Sequence, residues 1–170
     1  LSPEDFRKNY FKKNIPVVLE GAALDWECCK KWSFDFFAEN YGDEETMITD
    51  YGDTAVTTLR ETIEGIRNGK SPSARICNVI QNNKELINDA NLDWLERYRQ
   101  PGSFVTSYQF FMGTHGNATP LHAGGTNNFS IQIKGEKVWR IIDPHFNPVI
   151  RPIVDRGPLF KSHLNPQFTE

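Results

Sequence analysis

The sequence predicts an α+β chain, helix-rich over residues 1–100 and antiparallel-β over residues 101–170. Three observations predict it. Helix-start signals precede helically spaced apolar residues early in the chain, Pro101-Gly102 marks a change of character, and residues 128–133 alternate polar and apolar at period two.

The helical signals come first. Ser2 before Pro3 is an N-cap with proline at the first helical position, and Phe6, Tyr10 and Phe11 share a face of the helix that follows. Pro16-Val17-Val18-Leu19 is a short apolar run that reads as a strand. Ser33 caps a segment carrying Phe34, Phe36 and Phe37 that stops at Gly42. Thr58-Leu59-Arg60-Glu61 is a capping box; Leu59, Ile63 and Ile66 follow at helical spacing and Gly69 is the stop. Residues 46–49 and 75–80 read as strands. Residues 83–99 read as helix in two pieces, with Leu86, Ile87, Leu92, Trp94 and Leu95 on the buried side.

Beyond residue 101, residues 104–112 are aromatic and β-branched, and residues 113–120 form a turn-rich break. The alternating run 128–133, a turn at Lys134-Gly135-Glu136 and the run 138–142 predict a hairpin ending at Asp143-Pro144. Asn128, Ser130 and Gln132 lie on one face of that hairpin and Phe129, Ile131 and Ile133 on the other. Its polar face fits either water or the lining of a barrel pocket. The chain shows no internal repeat and no linker, and residues 1–170 read as one domain.

Composition excludes several classes. With 19 Lys+Arg against 22 Asp+Glu the net charge is −3, which argues against general electrostatic binding of nucleic acid. Twelve Phe, five Tyr and four Trp within a 38% hydrophobic chain supply a core that disordered segments lack. No apolar stretch approaches the ~18 residues needed to span a bilayer. Cys28, Cys29 and Cys77 form no paired framework and read as reduced thiols of a cytoplasmic protein; the first residues lack the order of a secretory signal.

Four histidines, His115, His122, His145 and His163, are the candidate metal ligands. The HExxH, CxxC, EF-hand, nucleophile-elbow and phosphate-loop motifs are all absent. What singles out one histidine is a longer pattern: Thr119-Pro120-Leu121-His122, then Asn128, then Gln132-Ile133-Lys134-Gly135-Glu136-Lys137-Val138-Trp139, then Asp143-Pro144. With the opening Ile15-Pro16-Val17-Val18-Leu19-Glu20-Gly21-Ala22-Ala23-Leu24-Asp25-Trp26, this strongly resembles the Jumonji-C or cupin-like oxygenases that use Fe(II) and 2-oxoglutarate. It is most similar to their asparaginyl-hydroxylase branch, and the resemblance covers residues 6–144.

The resemblance implies a helical N-terminal region packed on part of a cupin-like double-stranded β-helix. It implies an Fe(II)- and 2-oxoglutarate-dependent hydroxylase of a protein or small-molecule side chain. Such enzymes hold iron with two histidines and a carboxylate, leaving open positions for cosubstrate and oxygen. His122 matches the first histidine, Lys137 the lysine that pairs with the distal carboxylate of 2-oxoglutarate, Thr119 a hydroxyl assisting it, and Asn128 a polar pocket residue.

Two departures from the family pattern bear on activity. His122-Ala123-Gly124 carries glycine where the family has an acid, and the second histidine of the family has no match; Lys161-Ser162-His163-Leu164 does not resemble its strand. A double-stranded β-helix pairs early strands with late ones, so the expectation is a C-terminally incomplete barrel. Its open edges would be closed by a second copy or by a C-terminal partner chain. The rival readings are a catalytically inactive cupin-like binding or scaffold protein, and a halogenase-like enzyme with halide at the vacated acid position.

Overall fold

The computed structural model describes residues 1–50, 53–70, 73–105, 107–154 and 159–162. They fall into two units, Leu1–His115 and Gly116–Glu170. The architecture is α+β, a helical region with a small, incompletely closed β-sheet of the kind a partial cupin-like barrel presents.

In the first unit, local signals place the helices. α1 (Pro3–Asn9) starts at Ser2, whose Oγ accepts the Asp5 backbone N–H at 3.0 Å. After α2 (Glu27–Lys31), α3 (Phe34–Tyr41) starts at Ser33, whose Oγ accepts the Phe36 N–H at 3.1 Å. Gly42 ends α3 because space demands it: a Cβ there would stand 2.2 Å from the Ala38 carbonyl oxygen. β1 (Glu45–Asp50) and β2 (Asp53–Thr58) pair as an antiparallel hairpin. Thr58 then caps α4 (Leu59–Arg67) through a complete capping box.

That box has a measurable consequence. The Thr57 hydroxyl and the Thr58 backbone N–H both donate to the Glu61 carboxylate and hold it below the usual carboxylate range. A depressed carboxylate contributes stability above its ordinary pKa that is lost as pH falls through the lowered value. Thr58→Ala should cost about 1 kcal/mol at neutral pH, read from the denaturant midpoint. The difference from the unaltered protein should shrink at acid pH, because the Thr58 hydroxyl is one of the groups that hold the Glu61 carboxylate in its charged form.

β3 (Ser73–Cys77) pairs antiparallel with β4 (Phe110–Gly113), with an irregularity between Ala74 and Cys77. Between them lie α5 (Val79–Asn82), a 3-10 turn at Lys84–Asp89 and α6 (Leu92–Tyr98). Leu59, Ile63 and Ile66 on one face of α4 join buried Phe37, Val79, Leu86 and Met112 in the core. Phe37 lies 4.7 Å from the Phe110 ring and 5.4 Å from the Trp32 ring. The Trp32 indole N–H donates to Asp89 at 2.7 Å; the other Asp89 oxygen pairs with Lys31 at 2.7 Å and raises that ammonium's pKa. Burial pushes the Cys28 thiol up to about 12, so it stays a protonated packing group.

The second unit holds a three-stranded antiparallel sheet of β5 (His122–Gly124), β6 (Pro152–Val154) and β7 (Leu159–Ser162), in the order β5-β7-β6. A 3-10 turn at Pro144–Phe146, capped by the Asp143 carboxylate, leads into α7 (Asn147–Ile150).

Several expectations are corrected. Residues 16–19 form no strand, and Val18 is 81% exposed; Pro16 lacks a ladder donor and no neighbouring strand takes up the run. The run 75–80 changes state after Cys77, because a short apolar run fits a strand or a buried helical turn equally well, and Val79 and Ile80 are buried in α5. Among the described residues of 104–112, strand structure begins at Phe110. Of the pieces of 83–99, Leu86 and Tyr98 are buried, whereas Ile87, Leu92, Trp94 and Leu95 are only partly so.

The predicted hairpin over 128–142 is also not formed. Its turn exists: Gly135 has φ +74°, the left-handed conformation that favours glycine, and the Gln132 side-chain amide donates to the Lys134 carbonyl at 2.7 Å. The flanks do not pair as strands. A two-stranded ribbon is marginal without a third strand or a covering layer, and Val138, Trp139 and Ile141 are exposed. Among the described residues no helix is long and apolar enough to cross a membrane.

Candidate metal centre

His122 heads β5, directly after the Thr119-Pro120-Leu121 segment. The strand is fixed from β7, where His122 pairs with Lys161, Ala123 with Phe160 and Gly124 with Leu159. The Ser162 N–H adds a bond to the Leu121 carbonyl at 3.2 Å. His122 Nδ1 lies 2.8 Å from the Pro120 carbonyl oxygen. A carbonyl only accepts, so Nδ1 is the donor in this contact, and Nε2 is the ring nitrogen left to face a metal.

Side chains two apart on a strand face the same way, so His122 and position 124 share a face of β5. An acid at 124 would set its oxygens beside the imidazole. Glycine offers none.

The other expected site residues lie off the sheet. Thr119 is exposed just before β5, and Asn128 and Lys137 are exposed on the strandless segment. The Lys137 ammonium stands 4.5 Å from the centroid of the Trp139 ring. His145 is in the 3-10 turn, its backbone N–H capped by Asp143 and its ring edge-on to Phe146 at 5.9 Å. His115 is exposed at the end of the first unit, and His163 lies outside the described residues.

Among the described residues no group of three or more His, Cys, Asp or Glu side chains could hold a metal ion. His122 fits one ligand position of an iron site. The described residues do not fit the full triad of two histidines and a carboxylate.

Two contacts of the candidate residues were not legible in the sequence. Lys161 stands opposite His122 across a ladder whose strands are separated in sequence by the whole segment 125–158. Trp139 belongs to the motif, yet its position against Lys137 had only the two-residue spacing as a signal.

The helical region and the small, incompletely closed antiparallel sheet agree with a cupin-like fold, and the comparisons relate it at the family level to the JmjC-type Fe(II)- and 2-oxoglutarate-dependent oxygenases. Residues 3–166 match the cupin-like domain family, and the chain belongs to that family. It is 22% identical to JmjC domain-containing protein E of Dictyostelium discoideum over 174 residues, covering 82% of this chain and 49% of that protein. It is 27% identical to lysine-specific demethylase 8 of Xenopus tropicalis over 151 residues, 82% of this chain and 34% of that protein. Identity is 22% to the bifunctional arginine demethylase and lysyl-hydroxylase psr-1 of Caenorhabditis briggsae over 159 residues, 85% of this chain and 40% of that protein. The chain thus spans less than half the length of each of these relatives.

Proposed function

We propose that the chain is an Fe(II)- and 2-oxoglutarate-dependent oxygenase of the asparaginyl-hydroxylase-like branch, acting on a protein or small-molecule side chain in the cytoplasm. The observation that carries this reading is His122, placed at the head of β5 with Nδ1 against the Pro120 carbonyl, inside a family match that spans residues 3–166. Two of the relatives are named for demethylation or hydroxylation of protein side chains. In this reading His122 binds the metal, Lys137 and Thr119 hold the distal carboxylate of the cosubstrate, and Asn128 shapes the pocket. Bound iron would supply the oxidising chemistry. The described residues contribute one of its protein ligands, so two further donors must join His122.

The second reading, a catalytically inactive binding or scaffold domain, is favoured by Gly124. A halogenase-like site would use the same vacated position. Succinate release from 2-oxoglutarate, with Fe(II) supplied, separates the readings. Slow release that His122→Ala abolishes is the expected result. Binding of 2-oxoglutarate without any release would favour the scaffold.

In the three-stranded sheet β5 and β6 are the edge strands, and Ile153 and Val154 on β6 are exposed. Unpaired edges template pairing with another chain. The protein should therefore self-associate, or need a partner chain, when expressed alone. Light scattering after size exclusion reads this out, and a monodisperse monomer with a single cooperative melt would contradict it.

A further inference from the structure

We infer that Cys28 and Cys29 on α2 form a vicinal dithiol site that captures a monosubstituted trivalent arsenical. The site shares no residue with the oxygenase reading and does not depend on it.

Two buried tryptophans bracket α2. The Cys29 and Lys30 N–H groups donate to the Trp26 carbonyl at 3.0 and 3.3 Å, and the Trp32 N–H donates to the Cys28 carbonyl at 3.1 Å. Within that frame Cys28 is fully buried, Cys29 is half-buried, and the two thiols hydrogen-bond to one another. The sulfurs already converge, and Cys29 is the one a ligand reaches first. A disulfide is the wrong outcome for this pair. Adjacent Cα atoms stand about 3.8 Å apart, short of the roughly 4.4 Å at which disulfides are usually found, so closing one would unwind α2. A centre inserted between the sulfurs needs them only to be in contact. Among the described residues no group of three or more His, Cys, Asp or Glu could hold a metal ion, so the centre must bring its third substituent with it. Burial holds the Cys28 proton and disfavours a thiolate, so the product should carry no charge. An organic arsenical, R–As=O, meets all three conditions. Each sulfur exchanges its S–H for an S–As bond, the As=O bond breaks, and the oxygen leaves with both protons as water. Arsenic stays trivalent and no oxidant is consumed.

The test treats the folded, reduced chain with phenylarsine oxide and follows intact mass and tryptophan fluorescence. One adduct per chain is expected, mapped by digestion to a peptide that carries both Cys28 and Cys29. It should survive excess monothiol and be reversed by a small vicinal dithiol such as dimercaptopropanol, because two linked bonds hold about a hundredfold or more tighter than one. Cys29→Ser and Cys28→Ala should each lose the monothiol-resistant adduct, and Cys77→Ser should keep it. Thermal melts show which variants fold, and the mapped adduct of the unaltered protein decides the matter if Cys28→Ala does not. No adduct on the folded chain, or one that forms only after denaturation, overturns the inference. So does an adduct that maps to Cys77 or survives monothiol in Cys29→Ser.

Discussion

Replacing Phe37 with alanine should destabilise the first unit by about 3–5 kcal/mol. Phe37 is 2% exposed and lies at the centre of an aromatic cluster, with Phe110 at 4.7 Å, Phe36 at 5.2 Å and Trp32 at 5.4 Å. Truncation removes the buried ring and leaves a cavity. The surroundings cannot collapse into it easily, because Trp32 is tied by its indole N–H to Asp89 and Phe110 belongs to the β3–β4 pair. Aromatic pairs of this geometry add about 0.5–1.5 kcal/mol beyond their area, which puts the effect toward the upper part of the range. Guanidinium unfolding followed by tryptophan fluorescence reads it out, since Trp32 reports from within the cluster. A shift worth less than about 1 kcal/mol, well under the usual cost of emptying an aromatic core position, would show that the cluster is not the core of this unit.

Gly124→Asp should tighten divalent-metal binding by about ten- to a hundredfold. Position 124 shares a face of β5 with His122, whose Nδ1 is turned to the Pro120 carbonyl, and an aspartate there adds the hard oxygen donor that Fe(II) and Mn(II) favour. Loss of groups that merely support metal ligands costs about 10–100-fold in affinity, and a direct ligand should matter at least as much. Gly124→Asn, similar in size but uncharged, should gain much less. Anaerobic calorimetry with Mn(II) measures all three proteins. Unchanged affinity in Gly124→Asp would place the metal ligands elsewhere in the chain.

The parts of the fold legible in the sequence are those fixed within a few residues. Ser2, Ser33 and Thr58 each cap the helix expected of them, because an N-cap needs only its own side chain and a backbone N–H two or three residues on. Pairings are different. β2 carries β-branched Thr54, Val56, Thr57 and Thr58, but it runs straight into the Thr58 capping box, and only its hairpin with β1 makes it a strand. Residues 128–142 alternate as a hairpin should, yet alternation states which face is apolar and not what a strand pairs with. The ladder that places His122 joins β5 to β7, strands of three and four residues too short to announce themselves.

The candidate site divides along the same line. His122 was singled out by the resemblance that the Thr-Pro-Leu-His run carries. The contact of its Nδ1 was not legible, since that depends on where the Pro120 carbonyl points. Lys137 was singled out in the same way, by the Gln-Ile-Lys-Gly-Glu-Lys run. Its place over Trp139 needed the coordinates.

The most direct test of the account is Mn(II) binding, by electron paramagnetic resonance under anaerobic conditions with 2-oxoglutarate present, to the unaltered protein and to His122→Ala. The account predicts weak but specific binding by the unaltered protein, consistent with glycine at position 124, and loss of that binding in His122→Ala. Equal binding by the two proteins would contradict it, because His122 would then not be the ligand on which the proposed site depends.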